Sequence, residues 1–230
     1  MSDAVAKLVQ SLAPCVSYRE SNVEANRKVW NMYAKEWSPE TDWVKKMADN
    51  LGEEWTAENL TFVGDEWSDR ASLFQVIDDF IVPWVTADSE VAEVGVGGGR
   101  VAVKVVSRCQ TFHCLDISTE MLKRARKALS AIQLEAQQTV HYHELAGNEL
   151  PHDFSGKLDF IYSFDCLPHC DIHTIYTYLE EFVRTLKPGG HAMVHTSNIT
   201  APGQRHFSYK SINDIFQLTH SLHSFIQPFS

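Results

Sequence analysis

Nowhere in its 230 residues does the chain hold a run of about 18 apolar residues, which excludes a bilayer-spanning helix. Cysteine is scarce: Cys15, Cys109, Cys114, Cys166 and Cys170 make an odd set without a C-x-x-C pair. Free thiols in a reducing compartment are expected, not a disulfide framework. Positive charge is short as well, with 20 Lys and Arg against 30 Asp and Glu and a net charge of −10. That balance argues against a nucleic-acid partner, whose affinity comes largely from cations neutralising phosphates. Repeats and low-complexity tracts are lacking. The opening MSDAVAKLVQ carries Asp3 and Lys7, too polar for a signal-peptide core, so a cytoplasmic location and no membrane partner are expected.

What is present fits one large domain. A hydrophobic fraction of 44% and a charged fraction of 22% are ordinary for a globular chain long enough to bury a full core. The charge is uneven, however. Residues 1–90 hold 8 Lys and Arg against 17 Asp and Glu, whereas residues 91–230 hold 12 against 13. The acidic front half serves solubility, or attracts a cationic substrate.

Two textures follow along the chain. Residues 20–46 read as helix, with Val23, Trp30, Tyr33 and Trp37 near one face and Pro39 as an interruption. Residues 61–67 read as a loop. A second helix starts at Ser68 or Asp69, carries Leu73, Phe74, Ile77, Phe80 and Ile81 at helical spacing, and is closed by Pro83. From Glu90 onward, short apolar strands alternate with helices, the pattern of a parallel sheet wrapped by helices. Strands are expected over residues 91–96, 111–115, 140–145, 158–163 and 191–196, with helices over about 100–108, after Ser118 and after Asp171. The last helix has Ile172, Ile175, Tyr176, Leu179, Phe182, Val183 and Leu186 at offsets of 0, 3, 4, 7, 10, 11 and 14, which predicts a buried stripe. Lys187-Pro188-Gly189-Gly190 should stop it.

The strongest local signal is Glu93-Val94-Gly95-Val96-Gly97-Gly98-Gly99-Arg100. A strand running into closely spaced glycines sets bare backbone beside a ligand, where a Cβ would collide. A dinucleotide fingerprint wants a third glycine at position 100, and Arg100 stands there. Asp116 closes the next strand 23 positions after Glu93, where a carboxylate can accept both hydroxyls of a ribose.

These blocks, followed by Ala146-Gly147-Asn148-Glu149-Leu150-Pro151, by Asp159-Phe160-Ile161-Tyr162-Ser163-Phe164-Asp165 and by Leu186-Lys187-Pro188-Gly189-Gly190, resemble the class I S-adenosylmethionine-dependent methyltransferases in order and spacing. The resemblance covers about residues 91–197. It implies an α/β fold: a Rossmann-like, doubly wound, mostly parallel sheet, here with an N-terminal helical cap (residues 1–86) before a cofactor-binding core (residues 87–230). It also implies S-adenosyl-L-methionine across the strand ends. Glu93 would sit at its methionine end, with Gly95, Val96, Gly97 and Gly99 packed beneath. Asp116 would take the ribose, while Ile117, Met121, Glu149 and Phe164 would flank the site. Asn148 replaces the usual Asp, and its amide oxygen can still accept from adenine.

Asp165, His169 and His195 are the candidates for orienting or deprotonating an acceptor, since both residue types exchange protons near neutral pH. Each histidine could equally be a packed or surface side chain, and the sulfonium donor is reactive enough that many such enzymes need only positioning. No metal is expected, because Cys166, His169, Cys170 and His173 match no structural zinc spacing. Trp30, Tyr33, Trp37 and Trp67 form core, or a lid or cation cage. The expected activity is methyl transfer to an oxygen, nitrogen or sulfur of a small-molecule acceptor. The alternatives are a non-methylating user of the same cofactor and an NAD(P)-linked oxidoreductase.

Only 34 residues follow Thr196. Residues 211–222 read as a helix, and residues 223–230 suffice for one short strand. The C-terminal strands would then be incomplete and the fifth strand close to an open edge, which predicts a homodimer covering it or reduced stability.

Overall fold

The computed structural model describes residues 22–49, 60–197 and 225–228. Two helices come first: α1 (Asn22–Glu36) and α2 (Asp42–Asp49), separated around Pro39 as the sequence suggests. The stretch at 61–67 is tighter than a plain loop. The Asp65 carboxylate accepts from the backbone N–H groups of Thr61 and Phe62, both at 2.8 Å, and winds a 3₁₀ turn over Asp65–Trp67. Asp69 then caps α3 (Arg70–Val76) by accepting from Ser72 N at 2.8 Å. A π turn over Ile77–Ile81 extends that helix, and the 3₁₀ turn Val82–Trp84, holding Pro83, ends it.

The sheet is built from β1 (Glu90–Val94), β2 (Thr111–Asp116), β3 (Thr139–Glu144), β4 (Leu158–Ser163), β5 (Leu186–Val194) and β6 (Phe225–Pro228). Their order is β3-β2-β1-β4-β5-β6, with the first five parallel and β6 antiparallel. Helices α4 (Ala102–Val105), α5 (Thr119–Leu129) and α6 (Ile172–Thr185) make three of the crossovers, and the 3₁₀ turn His152–Phe154 lies in the fourth, from β3 to β4. Val91, Phe112, Phe160 and Tyr162 face one core with Ile77, Val105 and Ala125, while Ala92, Leu115 and Ile161 face another with Phe154, Tyr178 and Phe182. Central strands covered on both faces explain the near-continuous apolar runs. This is the expected Rossmann-like arrangement. Ser118 caps α5 and Asp171 caps α6, accepting from Met121 N at 3.1 Å and Thr174 N at 2.9 Å.

Two expectations need correction. Helix α6 buries Tyr178, Phe182 and Thr185, whereas Ile172, Tyr176 and Val183 of the expected stripe stand 71%, 61% and 52% exposed. The apolar arc is wider than the sheet face that receives it, and the sheet takes the side centred on Phe182. Second, Lys187-Pro188-Gly189-Gly190 lies inside β5 rather than outside it. Pairing with β4 jumps from Leu158↔Leu186 to Phe160↔His191, so the proline and glycines form an irregularity within the strand. The C-terminal expectation holds: five parallel strands are followed by one further short strand, β6, which leaves β5 one strand from the edge of the sheet. The expected helix over residues 211–222 lies outside the described residues.

Candidate active site

A cleft opens where β1, β2 and β4 end, between the turn after β1, the loop after β4 and helix α1. Its floor is the glycine turn. Gly95 has φ +75°, and a Cβ there would lie 2.3 Å from Cys166 Sγ, so no side chain can be accommodated. Gly97 has φ +54°, and its added Cβ would meet only the Gly95 carbonyl at 4.0 Å; its bare face is open to the cleft. Gly99 does a different job from the one expected. A Cβ there would come within 3.3 Å of Ala125 Cα, so this glycine seats the turn against α5 and does not line the cleft.

Two carboxyl groups stand beside that floor. Glu93 is buried within β1, and its Oε2 accepts from the Tyr162 hydroxyl at 2.8 Å. Burial pushes its pKa up to about 8, against the Tyr162 hydrogen bond and the charge of Arg100. Asp116 is oriented by two backbone donors, Ser118 N at 2.8 Å to Oδ1 and Gly97 N at 2.9 Å to Oδ2. Burial lifts it to about 6 despite those bonds. Val96, Ile117, Met121 and Phe164 line the cleft as expected, and Leu145 joins them. Asn148 and Glu149 do not; they line a separate hollow formed within residues 143–152. A bare glycine turn, an oriented carboxylate with spare lone pairs and a second carboxyl in an apolar setting fit a nucleoside bearing a cationic tail.

The acceptor-side candidates cluster. Asp165 lines the cleft at φ +56°, a left-handed conformation uncommon for a residue with a side chain. Its Oδ2 lies 2.5 Å from Arg100 Nη2 and its Oδ1 3.0 Å from His195 Nδ1. Burial alone would raise the Asp165 pKa, but the His195 hydrogen bond and the Arg100 charge outweigh it and hold the group below the usual carboxylate range. His195 itself is not a wall of the cleft; it stacks on Phe164, ring centroids 5.0 Å apart, and reaches the cleft only by its contact with Asp165. His169 does face the cleft, and burial lowers its pKa, so it is neutral near pH 7 and able to take a proton.

The aromatic set divides. Trp30 and Trp67 line the cleft with His169, with centroid separations of 5.8 Å between the tryptophans, 4.9 Å from Trp30 to His169 and 6.2 Å from Trp67 to His169. Tyr33 and Trp37 lie behind, where buried Glu66 accepts from the Tyr33 hydroxyl and, at 2.9 Å, from Trp37 Nε1. Helix α1 is held over the strand ends by Arg27, which donates to the carbonyls of Ile117, Leu145 and Ala146 at 3.1, 3.0 and 2.7 Å. Arg124 donates to Ala34 O and Trp37 O at 2.6 and 2.7 Å at the other end.

Arg100 is the residue that sequence reasoning valued least correctly. It entered only as a missing glycine, yet its buried guanidinium also binds Gly64 O at 2.5 Å and Ser68 Oγ at 3.0 Å, tying three segments together. A lone arginine after a glycine turn carries no spacing signal for partners 36 and 65 residues away.

With this geometry in view, residues 91–190 match the family model described as a methyltransferase domain. The chain is 26% identical over 174 residues to the ubiquinone biosynthesis O-methyltransferase of Pseudomonas syringae, covering 70% of this chain and 72% of that protein. It is 28% identical to that of Cupriavidus pinatubonensis over 141 residues, 57% of this chain and 54% of the relative. Among solved structures, phosphoethanolamine N-methyltransferase 1 of Haemonchus contortus, in complex with phosphoethanolamine and S-adenosylhomocysteine, superposes with a TM-score of 0.56. It is 12% identical and covers 79% of this chain and 33% of that one. Magnesium protoporphyrin IX methyltransferase of Synechocystis, with bound S-adenosylhomocysteine, superposes with a TM-score of 0.51, 14% identity and coverage of 76% and 72%. At these identities the two structures share the fold with this chain.

Proposed function

We propose that the chain, which belongs to the class I S-adenosylmethionine-dependent methyltransferases, moves the methyl group of S-adenosyl-L-methionine to a hydroxyl oxygen of a small, flat acceptor. The observation that carries this reading is the continuity of one cleft. Gly95, Gly97, Glu93 and Asp116 line the same cleft as Trp30, Trp67, His169 and Asp165. Asp116, already aligned by two N–H donors, would accept from the ribose hydroxyls. Glu93 would face the cationic tail, and Ile117, Met121 and Leu145 would enclose the base. Bound S-adenosylmethionine supplies an electrophilic sulfonium methyl.

The chain's own part is positioning and proton transfer. Trp30 and Trp67 offer aromatic faces that hold a planar ring in place. His169, kept neutral by burial, is the group that would take the hydroxyl proton. Asp165 is a positioning residue, its charge already balanced by Arg100 and assisted by His195. A carboxylate so engaged has little left for a cationic acceptor, which favours a neutral hydroxyl over an ammonium or choline-like group. The two relatives from Pseudomonas syringae and Cupriavidus pinatubonensis, both O-methyltransferases, lean the same way. Helix α1 and residues 63–67 serve as the cap of this cleft.

The test is incubation with S-adenosylmethionine and a panel of phenols, amines and thiols, reading S-adenosylhomocysteine and product mass. Turnover with phenols is expected. Turnover confined to amines or thiols would overturn the oxygen assignment, and saturable binding without any turnover would support the non-methylating alternative. Arg100, buried in place of the third fingerprint glycine, weighs against the NAD(P)-linked alternative.

A further inference from the structure

Methyl transfer leaves two cleft residues without a task. Cys166 and Cys170 both line the cleft and flank the 3₁₀ turn Leu167–His169. That turn folds the chain back on itself, with His169 N donating to Cys166 O at 3.1 Å and Cys170 N to Leu167 O at 3.0 Å. Cys170 Sγ lies 3.9 Å from Cys166 O, so the turn brings the Cys170 thiol back onto residue 166. A turn that returns residue 170 onto residue 166 leaves side-chain rotation to bring the sulfurs to the roughly 2.05 Å of a disulfide. Cys109 and Cys114, by contrast, are buried in the sheet and its flank.

We propose that Cys166 and Cys170 form a dithiol that small disulfides oxidise to an intramolecular disulfide, and that this oxidation weakens cofactor binding. The proposal rests on reading the cleft as the cofactor site. Cys170 is the attacking group. The hydrogen bond from Cys166 lowers its pKa, outweighing burial and the charge of Asp171, while the same bond raises Cys166. Cys170 thiolate attacks one sulfur of oxidised glutathione and expels the first glutathione thiolate. Cys166 sulfur, losing its proton, then attacks Cys170 sulfur and expels the second. Two protein S–H groups become one S–S bond, and oxidised glutathione becomes two molecules of glutathione, which carry the protons away.

The consequence for binding comes from Gly95. Cys166 Sγ and Cβ lie 2.3 and 2.4 Å from where a Gly95 Cβ would be, so the Cys166 side chain and the glycine turn share one packing surface. Drawing Cys166 Sγ toward Cys170 changes that wall of the cleft. By linkage, a ligand that binds the dithiol form more tightly shifts the dithiol–disulfide equilibrium toward the dithiol by the same factor, and by covering the thiols it also shields them from the oxidant.

The experiment treats the full chain with oxidised glutathione, blocks remaining thiols, and maps the peptide holding both residues. Expected are loss of two hydrogens in that peptide, its resistance to alkylation, and a fall of about tenfold or more in affinity for S-adenosylhomocysteine, a change of about 1.4 kcal/mol, reversed by dithiothreitol. S-adenosylhomocysteine added first should slow the oxidation. In Cys170→Ser, oxidised glutathione should leave the variant's own affinity unchanged. Reduced thiols after treatment, a stable glutathione adduct in place of the internal bond, or a disulfide with unchanged affinity would each overturn the proposal. If the reduced chain failed to bind S-adenosylhomocysteine at all, the cofactor reading would fall, while the peptide map would still decide the dithiol.

Discussion

Replacing Asp116 by alanine separates the proposed cofactor contact from the fold around it. In the native chain its two oxygens accept from Ser118 N and Gly97 N at 2.8 and 2.9 Å, which leaves lone pairs aimed into the cleft. Asp116→Ala removes a charged acceptor, and hydrogen bonds to charged groups contribute about 1.5–3 kcal/mol. Affinity for S-adenosylhomocysteine should therefore drop about tenfold to 150-fold. Stability responds less. An unsatisfied buried N–H costs about 1–3 kcal/mol, but removing a carboxyl that burial has already pushed up to about 6 relieves part of that cost. A net loss near 1 kcal/mol would lower the melting temperature by about 2–4 °C in a chain of this size. Calorimetric titration beside a thermal melt reads both quantities. A variant that melts within a few degrees of the parent and binds S-adenosylhomocysteine unchanged would refute the placement of the ribose at Asp116.

Other outcomes follow from the same structure. Arg100→Met strands Asp165 and should cost about 3 kcal/mol, the low end for breaking a buried pair, read from urea unfolding; an unchanged midpoint would deny the tie its role. Glu93, raised to about 8, binds a proton that a cationic ligand should expel, so S-adenosylmethionine affinity should climb as pH rises from 6 toward 8, with proton release seen by titration in buffers of differing ionisation heat; a flat profile speaks against Glu93 facing the ligand's charge. His143 is lowered to about 4 by burial and by neighbouring His113 and His141. The unfolded chain, titrating near 6.5, then takes up a proton the folded chain refuses, so stability falls as pH drops from 6.5 to 4. His143→Gln should lose less than the parent over that window, and parallel melting curves would contradict the assignment. Deleting residues 1–67 removes Trp30, Trp67 and the Arg27 clamp and should abolish methyl transfer; a fully active truncation would reduce the segment to packing.

The fold was legible because its signals are local. Ser118, Asp69 and Asp171 announce helix starts through side-chain oxygens, and buried parallel strands declare themselves as short apolar runs. That Gly95, Gly97, Glu93 and Asp116 line one cleft follows from the same cause: they sit at strand ends set by short-range spacing. What stayed hidden depends on distant neighbours. Which arc of α6 meets the sheet is decided by the sheet, so periodicity counted Ile172, Tyr176 and Val183 as core. The Arg100–Asp165 pair joins two loops across β1 and β4. Asn148 and Glu149 were carried over from a family position, and here that loop presents Leu145 to the cleft instead.

Titration of the reduced, full chain with S-adenosylhomocysteine, and separately with NAD, tests the central claim most directly. Saturable one-to-one binding of S-adenosylhomocysteine and no binding of NAD are the expected results. No heat and no thermal shift with S-adenosylhomocysteine, or NAD binding of equal strength, would contradict the assignment of this cleft.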